Sequence, residues 1–308
     1  MPKRVPYGGQ AVIEGVMIRG RSNIAIAVRR PDNGIQLKTD PIQGLFTGTL
    51  RKVPFVRGFI TLLEVMVIGT RALMYSAQVA LDEVEEGEEK SGAGTGFMLW
   101  ATLALGLAFG IAVFFVGPVF LNEWLDDHTD SSVLLNVIEG LVRLGLFLGY
   151  ILFIGRMKDI QRVFAYHGAE HMSIHAMEHD EELSVENVRK HTTLHPRCGT
   201  AFLLLVVLIA ILVFLALGHP PLWLRVVSRI ALLPVIAGIS YEVLRIHGRY
   251  AGNRLLKMLL GPGLLLQMLT TRRPDDDQIE VAIAALKGAI AADEGLAPAS
   301  PTPAPAKL

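Results

Sequence analysis

Long runs without charge are the feature that most restricts what this chain can fold into. Residues 97–121 and 201–217 contain no charged side chain, and residues 133–155 and 222–246 are apolar with isolated charges. A helix needs about 20 apolar residues to cross a hydrocarbon core of about 30 Å. We therefore predict an α-helical polytopic membrane protein with about four transmembrane helices.

The alternative for these runs is a set of buried helices in a soluble protein. Only 19% of residues are charged and the mean hydropathy is +0.43, whereas soluble domains carry about 25% charged residues. Uncharged runs of this length are rare in soluble cores, so the composition favours the lipid bilayer as the partner of these segments.

The distribution of charge predicts the topology. Residues 1–57 hold ten Lys or Arg and residues 156–197 hold six, whereas the loop at 122–132 holds none and is acidic. Because cationic loops stay in the cytoplasm, we predict a bacterial inner-membrane protein with both termini cytoplasmic. Arg225 and Arg229, near the outer end of the fourth apolar run, oppose this pattern.

The N-terminal region has the pattern of a small cytosolic β-rich unit, residues 1–57. The stretches NIAIAVRR and IQLK flank the turn PDNG, and Asn-Gly between alternating stretches is a strong hairpin signal. The glycine-punctuated stretch upstream, GGQAVIEGVMIRG, predicts a further strand. Residues 58–81 are helical in period but contain Glu64 and Arg71, which favours an interfacial or re-entrant helix; a fifth span is the alternative.

The rest of the chain divides by composition. We predict an acidic linker at 82–96, transmembrane helices 1 and 2 at 97–156, a cytosolic His/Cys hairpin at 157–200, transmembrane helices 3 and 4 at 201–246, interfacial and C-terminal helices at 247–291 with a break at 261–263, and a disordered tail at 292–308. No apolar signal-peptide core is expected in the first 57 residues. The single cysteine excludes an internal disulfide and suits a reducing cytosol.

Six of the nine histidines lie in one short polar window. His167, His171, His175 and His179 follow one another at intervals of four residues, and two more, His191 and His195, come soon after. Positions four apart share a face of a helix, so each neighbouring pair can offer two imidazoles to one ion. One or two bound ions are therefore expected.

A catalytic pattern overlaps the first pair. His167, Glu170 and His171 fit H-x-x-E-H, in which two helical histidines hold zinc and the glutamate accepts a proton from metal-bound water. Glu170 is thus the candidate catalytic base.

The segment after this helix supplies further ligand types. His191, His195 and Cys198 suit Zn²⁺ or iron, and a hairpin would carry His195 and Cys198 onto His167 and His171. We expect a divalent metal ion, Zn²⁺ in preference to Fe. Three alternatives stay open: a solvated histidine-rich helix, haem held by two histidines, and Cys198 as a nucleophile. Glu242 could approach this site from the fourth apolar run.

Several motifs are similar to those of the YqhQ-like family of bacterial membrane proteins of unknown function. They are GGQAVIEGVMIRG (8–20), VPFVRG (53–58), YHGAEH (166–171), HPRCGT (195–200), PVIAGISYE (234–242) and PGLLLQMLTTRRPDDDQIEVAIAAL (262–286). The resemblance covers nearly the whole chain and implies a metal-dependent enzyme, as members are sometimes described. It also points at Gln10, Glu14 and Arg19, either as a loop that lines the metal pocket or as ordinary polar residues of a tight β-turn.

The sequence favours a membrane-bound metal-dependent enzyme, most simply a hydrolase. The alternative is a non-enzymatic scaffold or assembly factor that binds a metal or haem. A transporter is less favoured, because 97–121 and 201–217 lack the ionisable residues expected along an ion path. The balanced charge, 29 basic and 29 acidic residues, gives no indication of nucleic-acid binding, and protein partners are left open.

Overall fold

The computed structural model describes residues 7–42, 53–81, 93–126, 131–196, 198–218, 220–249 and 254–296. The strands are β1 (Gly8–Val12), β2 (Gly15–Arg19), β3 (Asn23–Arg29) and β4 (Ile35–Pro41). The helices are α1 (Val56–Ala80), α2 (Ala93–Ile111), α3 (Gly117–Asp126), α4 (Ser132–Ile154), α5 (Lys158–Glu178), α6 (Val185–Val188), α7 (Gly199–Leu217), α8 (Leu222–Ala231), α9 (Leu233–Arg249), α10 (Arg254–Thr270) and α11 (Asp276–Asp293). A short π-helical turn, Ala112–Val116, joins α2 to α3.

The four strands form one antiparallel sheet in sequence order. The predicted hairpin is confirmed: β3 and β4 pair around PDNG, and Asn33 adopts a φ of 67° there. The glycine-rich stretch upstream contributes two strands rather than one, because Glu14 reaches a φ of 51° in the turn between β1 and β2.

Both faces of the sheet are covered by helices. Ala25 and Ala27 of β3 face α11 and α5, while Ile24 and Ile26 of the same strand face α1. Gly288 lets α11 approach the sheet closely, because a Cβ there would lie 2.9 Å from Cδ1 of Leu37 on β4. The strand is therefore apolar on both sides, unlike a sheet with one wet face.

The C-terminal helix α11 closes this unit from the far end of the chain. It begins with a capping box in which Asp275 and Gln278 satisfy each other's backbone N–H groups. Four apolar residues recur at helical spacing in α11, and three of them, Ile279, Ile283 and Leu286, are buried against the sheet and α5, while the fourth, Ile290, is partly buried there. The N-terminal sheet and the C-terminal helix thus belong to one folded unit.

The predicted apolar helices are present. Four helical segments, α1, Ala104–Leu121, α4 and α7, are long and apolar enough to cross a membrane, and the pair α8 and α9 meets the same test as one span bent by 46°. The sequence predicts one run at 222–246, and the structure divides it at Leu232. Pro234, in the first turn of α9, has no N–H to donate back to the last turn of α8, so a continuous helix would lose a hydrogen bond there.

One predicted break is wrong. Residues 261–263 do not interrupt the interfacial helix, because α10 runs through Pro262. Gly263 packs so closely on α7 that a Cβ there would lie 2.8 Å from the Cβ of Ala201. This tertiary contact overrides the local preference of the Gly-Pro-Gly sequence. The predicted linker and tail lie largely outside the described residues.

Ion pairs explain the charges within the apolar runs. Glu139 and Arg143, the isolated charges of the run at 133–155, lie one helical turn apart and pair at 2.7 Å, and Arg229 joins them from α8 at 2.8 Å. Arg225 pairs with Glu123 of α3. Each of the two arginines that oppose the charge pattern is therefore paired with a carboxylate, Arg229 with the buried Glu139 and Arg225 with the partly exposed Glu123.

Candidate metal centre

Helix α5 presents the histidines to the interior of the sheet unit. It packs against β1, α11 and the segment before α7. Gly168 lets the backbone of Arg272 lie directly against α5, because a Cβ at this position would lie 2.1 Å from the Arg272 backbone oxygen. The backbone N–H of Arg272 donates to the Phe164 carbonyl at 2.9 Å, which fixes the segment after α10 beside α5.

Backbone carbonyls fix the orientation of the first two imidazoles. His167 Nδ1 lies 2.9 Å from the Thr270 oxygen, and His171 Nδ1 lies 2.6 Å from the Thr193 oxygen. A carbonyl only accepts, so each Nδ1 carries the proton and each Nε2 is left as an acceptor. Metal-binding histidines are held in the same way by partners of their other nitrogen.

The two Nε2 atoms converge on the thiol of Cys198. His167 Nε2 lies 3.2 Å from Cys198 Sγ, and one ligand atom from each of His167, His171 and Cys198 lies within 4.8 Å of the others. Ligands of a tetrahedral zinc ion lie about 3.3–3.8 Å apart, given Zn–N and Zn–S bonds of about 2.0–2.3 Å. The hairpin therefore brings Cys198, but not His195, together with His167 and His171, at a spacing that one ion could bridge.

Burial favours the neutral form of three imidazoles in this region. Removal from water lowers the pKa of His171, of His175 and of His195. A neutral imidazole retains the lone pair that a metal ligand needs. The electrostatics of the site thus agree with the tautomers that the carbonyls impose.

Glu170 lies beside the ligand set. Its Oε2 is 3.4 Å from His171 Nε2, and the carboxylate accepts a hydrogen bond from the Gly9 backbone. Burial raises the pKa of this carboxyl. A buried carboxyl with a raised pKa, next to a candidate ion, is suited to accept and return a proton.

A second group of ligand types lies further along α5. His175, Glu178 and His195 each place one ligand atom within 4.8 Å of the others. The sequence analysis expects His195 beside His167 and His171, whereas the structure groups it with His175 and Glu178. His191 stacks on His175 with ring centroids 6.0 Å apart.

A cavity of about 420 Å³ opens onto both groups. Its lining includes Glu170, His171, His195 and Cys198 from the site, Tyr7, Gly8, Gly9, Gln10, Met17 and Arg19 from the N-terminal segment, and Thr61, Glu64, Val65, Ile68, Ile174, Gly199 and Tyr241 from the helices. The volume is within the usual range for small-molecule pockets. Gln10 and Arg19, to which the resemblance points, are among these lining residues.

Two other predicted pocket residues lie elsewhere. Glu14 pairs with Arg162 on α5, with Nε and Oε1 2.6 Å apart, and Glu242 pairs with Arg57 at 2.6 Å. Neither is among the residues that line the cavity. Both carboxylates have an arginine as their partner. Hydrogen bonds from Arg162 hold the pKa of Glu14 below its usual range.

Several residues of the site are not evident from the sequence. Thr193 and Thr270 act through backbone oxygens, which leave no trace in side-chain identity. Gln267 holds the backbone of His195 through two hydrogen bonds, of 2.8 and 2.9 Å. Glu64 pairs with Arg19 at 2.6 Å, and its position as a lone carboxylate in an apolar helix was a usable signal.

The fold and site define a class: a predominantly helical protein with several membrane-compatible helices and a histidine- and cysteine-lined cavity in a mixed α/β unit. Residues 53–292 match the family model described as a protein of unknown function, DUF1385. The chain is 40% identical over 285 residues to the uncharacterized protein YqhQ of Bacillus subtilis (strain 168), which covers 90% of each chain. The chain belongs to this family, as the sequence motifs indicated. No solved structure matches it.

Proposed function

We propose that the protein is a membrane-bound, metal-dependent hydrolase with a His₂Cys ion site. His167, His171 and Cys198 would hold Zn²⁺ or, alternatively, Fe²⁺. The observation that carries this proposal is the convergence of two carbonyl-fixed Nε2 acceptors on one thiol. Three protein ligands leave one position for water or substrate, which is typical of catalytic zinc.

The neighbouring residues support the same chemistry. A bound ion would act as a Lewis acid and lower the pKa of a coordinated water. Glu170 lies within reach as the base that takes the proton, and the Gly9 N–H orients its carboxylate. The cavity beside the ligands has room for a substrate, and Arg19, paired with Glu64 at its wall, would orient a polar group.

One contact supports a second candidate function, in which the metal site is structural and not catalytic. Glu170 Oε2 lies 3.4 Å from His171 Nε2, a spacing that two ligands of one ion can have. As a fourth ligand, Glu170 would close the coordination sphere and make the site structural. Haem is not favoured for the pair His167 and His171, because their ring centroids are 4.4 Å apart and leave no room for a porphyrin between them.

Glu170→Gln distinguishes the two readings. The amide keeps the shape of the side chain but cannot take the proton, and loss of a general base costs about 10²–10⁴-fold in rate. We expect the purified variant to retain its thiolate-bound ion while it fails to complement a deletion strain. Glu186→Gln, on an exposed side chain of the same hairpin, is the matched control. Loss of the ion in Glu170→Gln would favour the structural site, and full complementation would exclude Glu170 as the base.

We further propose an inner-membrane location with both termini in the cytoplasm. The sheet contacts α5, so an even number of crossings must separate them, and α5 contacts α11, so the same holds for the segment between those two. Crossings by α2–α3 and α4, then by α7 and the bent pair α8–α9, satisfy both conditions.

Helix α1 is then left at the membrane surface. Its second half packs on the sheet through Ala72 and Val79, and Ser76 Oγ accepts from the Ile13 N–H at 3.1 Å.

Reporter fusions test this topology. A reporter fused after Asp127 should lie outside the cytoplasm, and one fused after Asp180 should lie in the cytoplasm. The reverse arrangement would overturn the topology.

A further inference from the structure

Next to the His₂Cys set lies a second set of ligands with its own supports. His175 Nε2 lies 2.9 Å from the Leu194 oxygen, so that nitrogen carries the proton and Nδ1 is left as the acceptor. The backbone of His195 is held by Gln267, and His195 Nε2 lies 3.5 Å from Glu178 Oε2. Two imidazoles and one carboxylate are thus held in one place by contacts that do not involve Cys198.

The composition of this set matches a known preference. Two histidines and a glutamate form one of the standard ligand sets of zinc, with a fourth position open. The ligand atoms lie within 4.8 Å of one another, which is close to the spacing that a bound ion imposes.

The set lies between the inner site and solvent. The His175 ring is 4.8 Å from that of His195, which in turn is 5.6 Å from that of His171. On the other side, His191 lies 6.0 Å from His175 and 5.2 Å from the exposed His179. Ligand-type side chains therefore continue from the surface to the buried thiol.

We propose that His175, Glu178 and His195 form a second divalent-metal site, separate from the His₂Cys site and filled without a thiolate. The ion would be of the borderline type that imidazole and carboxylate accept, such as Zn²⁺ or Co²⁺. The second site does not depend on the proposed hydrolytic function, because none of its ligands belongs to the His₂Cys set. Its occupancy would make this hairpin a two-metal unit.

The test uses Co²⁺ as the probe with metal-stripped, full-length protein in detergent. Equilibrium dialysis counts the bound ions, and the thiolate-to-cobalt charge-transfer band reports the His₂Cys site alone. We expect two Co²⁺ per wild-type chain. Glu178→Gln should bind one and keep the band, whereas Cys198→Ser should bind one and lose the band.

One control variant and one further ligand variant keep the outcomes distinct. Glu186→Gln makes the same chemical change on an exposed carboxylate and should still bind two. A second variant, Glu178→Lys, introduces an ammonium in place of the ligand and should also bind one, with the band intact.

One thiolate-bound Co²⁺ in wild type that Glu178→Gln leaves unchanged would refute the second site and leave the proposed function standing. One Co²⁺ without the band, lost in Glu178→Gln, would establish the second site and refute the His₂Cys site. Loss of both ions in Glu178→Gln would show a single shared centre and overturn this proposal.

Discussion

Two buried polar clusters in this protein are built on opposite principles. In the helical bundle, Glu139 accepts from Arg143 and Arg229, and both guanidinium groups lie over the Phe214 ring, at 5.0 and 4.2 Å. In the sheet unit, the Nε2 atoms of His167 and His171 both point toward Cys198.

The difference lies in what each cluster leaves unsatisfied. In the bundle, donors meet acceptors, and Arg143 also donates to the Phe114 carbonyl at 2.9 Å in the π-helical turn. In the sheet unit, two acceptors meet a thiol that has one proton to give. The first cluster is complete in the protein alone, whereas the second becomes complete when a cation enters.

The largest effect is expected from removal of the only carboxylate in the bundle cluster. Glu139→Gln leaves two buried guanidinium groups without a counter-charge, and loss of one partner of a buried pair costs about 3–5 kcal/mol. Unfolding in detergent should show this loss, while Co²⁺ binding per folded chain is unchanged. Glu123→Gln, at a carboxylate whose side chain is 45% exposed, should cost less. Wild-type stability in Glu139→Gln would contradict the comparison.

Metal removal should destabilise the protein through the histidine- and cysteine-containing cluster of the sheet unit only. A ligand present at about 100 times its Kd stabilises the folded state by about 2.7 kcal/mol, so a chelator should lower the unfolding midpoint of wild type. The double variant His171→Ala/Glu178→Gln, which lacks a ligand at each site, should show no chelator effect. Glu139→Gln should retain the full chelator-dependent shift. A shift of equal size in the double variant would mean that the ion binds elsewhere.

A third prediction concerns the support of the histidines. Gly168→Ala forces a Cβ against the Arg272 oxygen, and overpacking typically costs about 1–3 kcal/mol. The substitution should also move α5 away from the Thr270 carbonyl, which orients the His167 ring. Loss of a hydrogen-bond partner that orients a metal ligand weakens metal binding about 10–100-fold. Gly149→Ala is the control, because a Cβ there meets nothing within 4 Å. Unchanged Co²⁺ affinity in Gly168→Ala would refute the role of the close packing.

The smallest effect is expected at the Glu14–Arg162 pair. Arg162 is 53% exposed, and such pairs contribute about 0–1 kcal/mol. Arg162→Ala should therefore cost little and leave Co²⁺ binding intact. Because hydrogen bonding to Arg162 holds the pKa of Glu14 below its usual range, this contribution is present at neutral pH and is lost as the pH falls through the lowered value. Loss of metal in Arg162→Ala would place Glu14 in the site after all.

Much of this fold follows from local sequence patterns. Apolar runs predict the long helices, Asn-Gly predicts the hairpin, and the stripe at Ile279, Ile283 and Leu286 predicts α11. These patterns do not show which helix or strand packs against each apolar face. The packing of α11 on Ala25 and Ala27 depends on contacts between opposite ends of the chain, which one sequence does not reveal.

The site divides in the same way. The four-residue spacing predicts that His167 and His171 share a face, and the short return of the chain predicts that Cys198 meets them. The carbonyls that set the tautomers belong to Thr193 and Thr270, whose side chains play no part in this. Arg229 likewise joins Glu139 from a helix about 90 residues away in the sequence, a pairing that local patterns do not reveal.

Metal analysis of the purified protein tests the central claim most directly. Wild-type protein isolated without added metal should contain zinc or iron, and His167→Ala should lose the equivalent that gives the thiolate-to-metal signal after Co²⁺ exchange. Each variant should remain folded, because its ionic cluster in the bundle is untouched. Wild-type protein that contains no transition metal, and takes up no Co²⁺ with a thiolate band, would contradict the account.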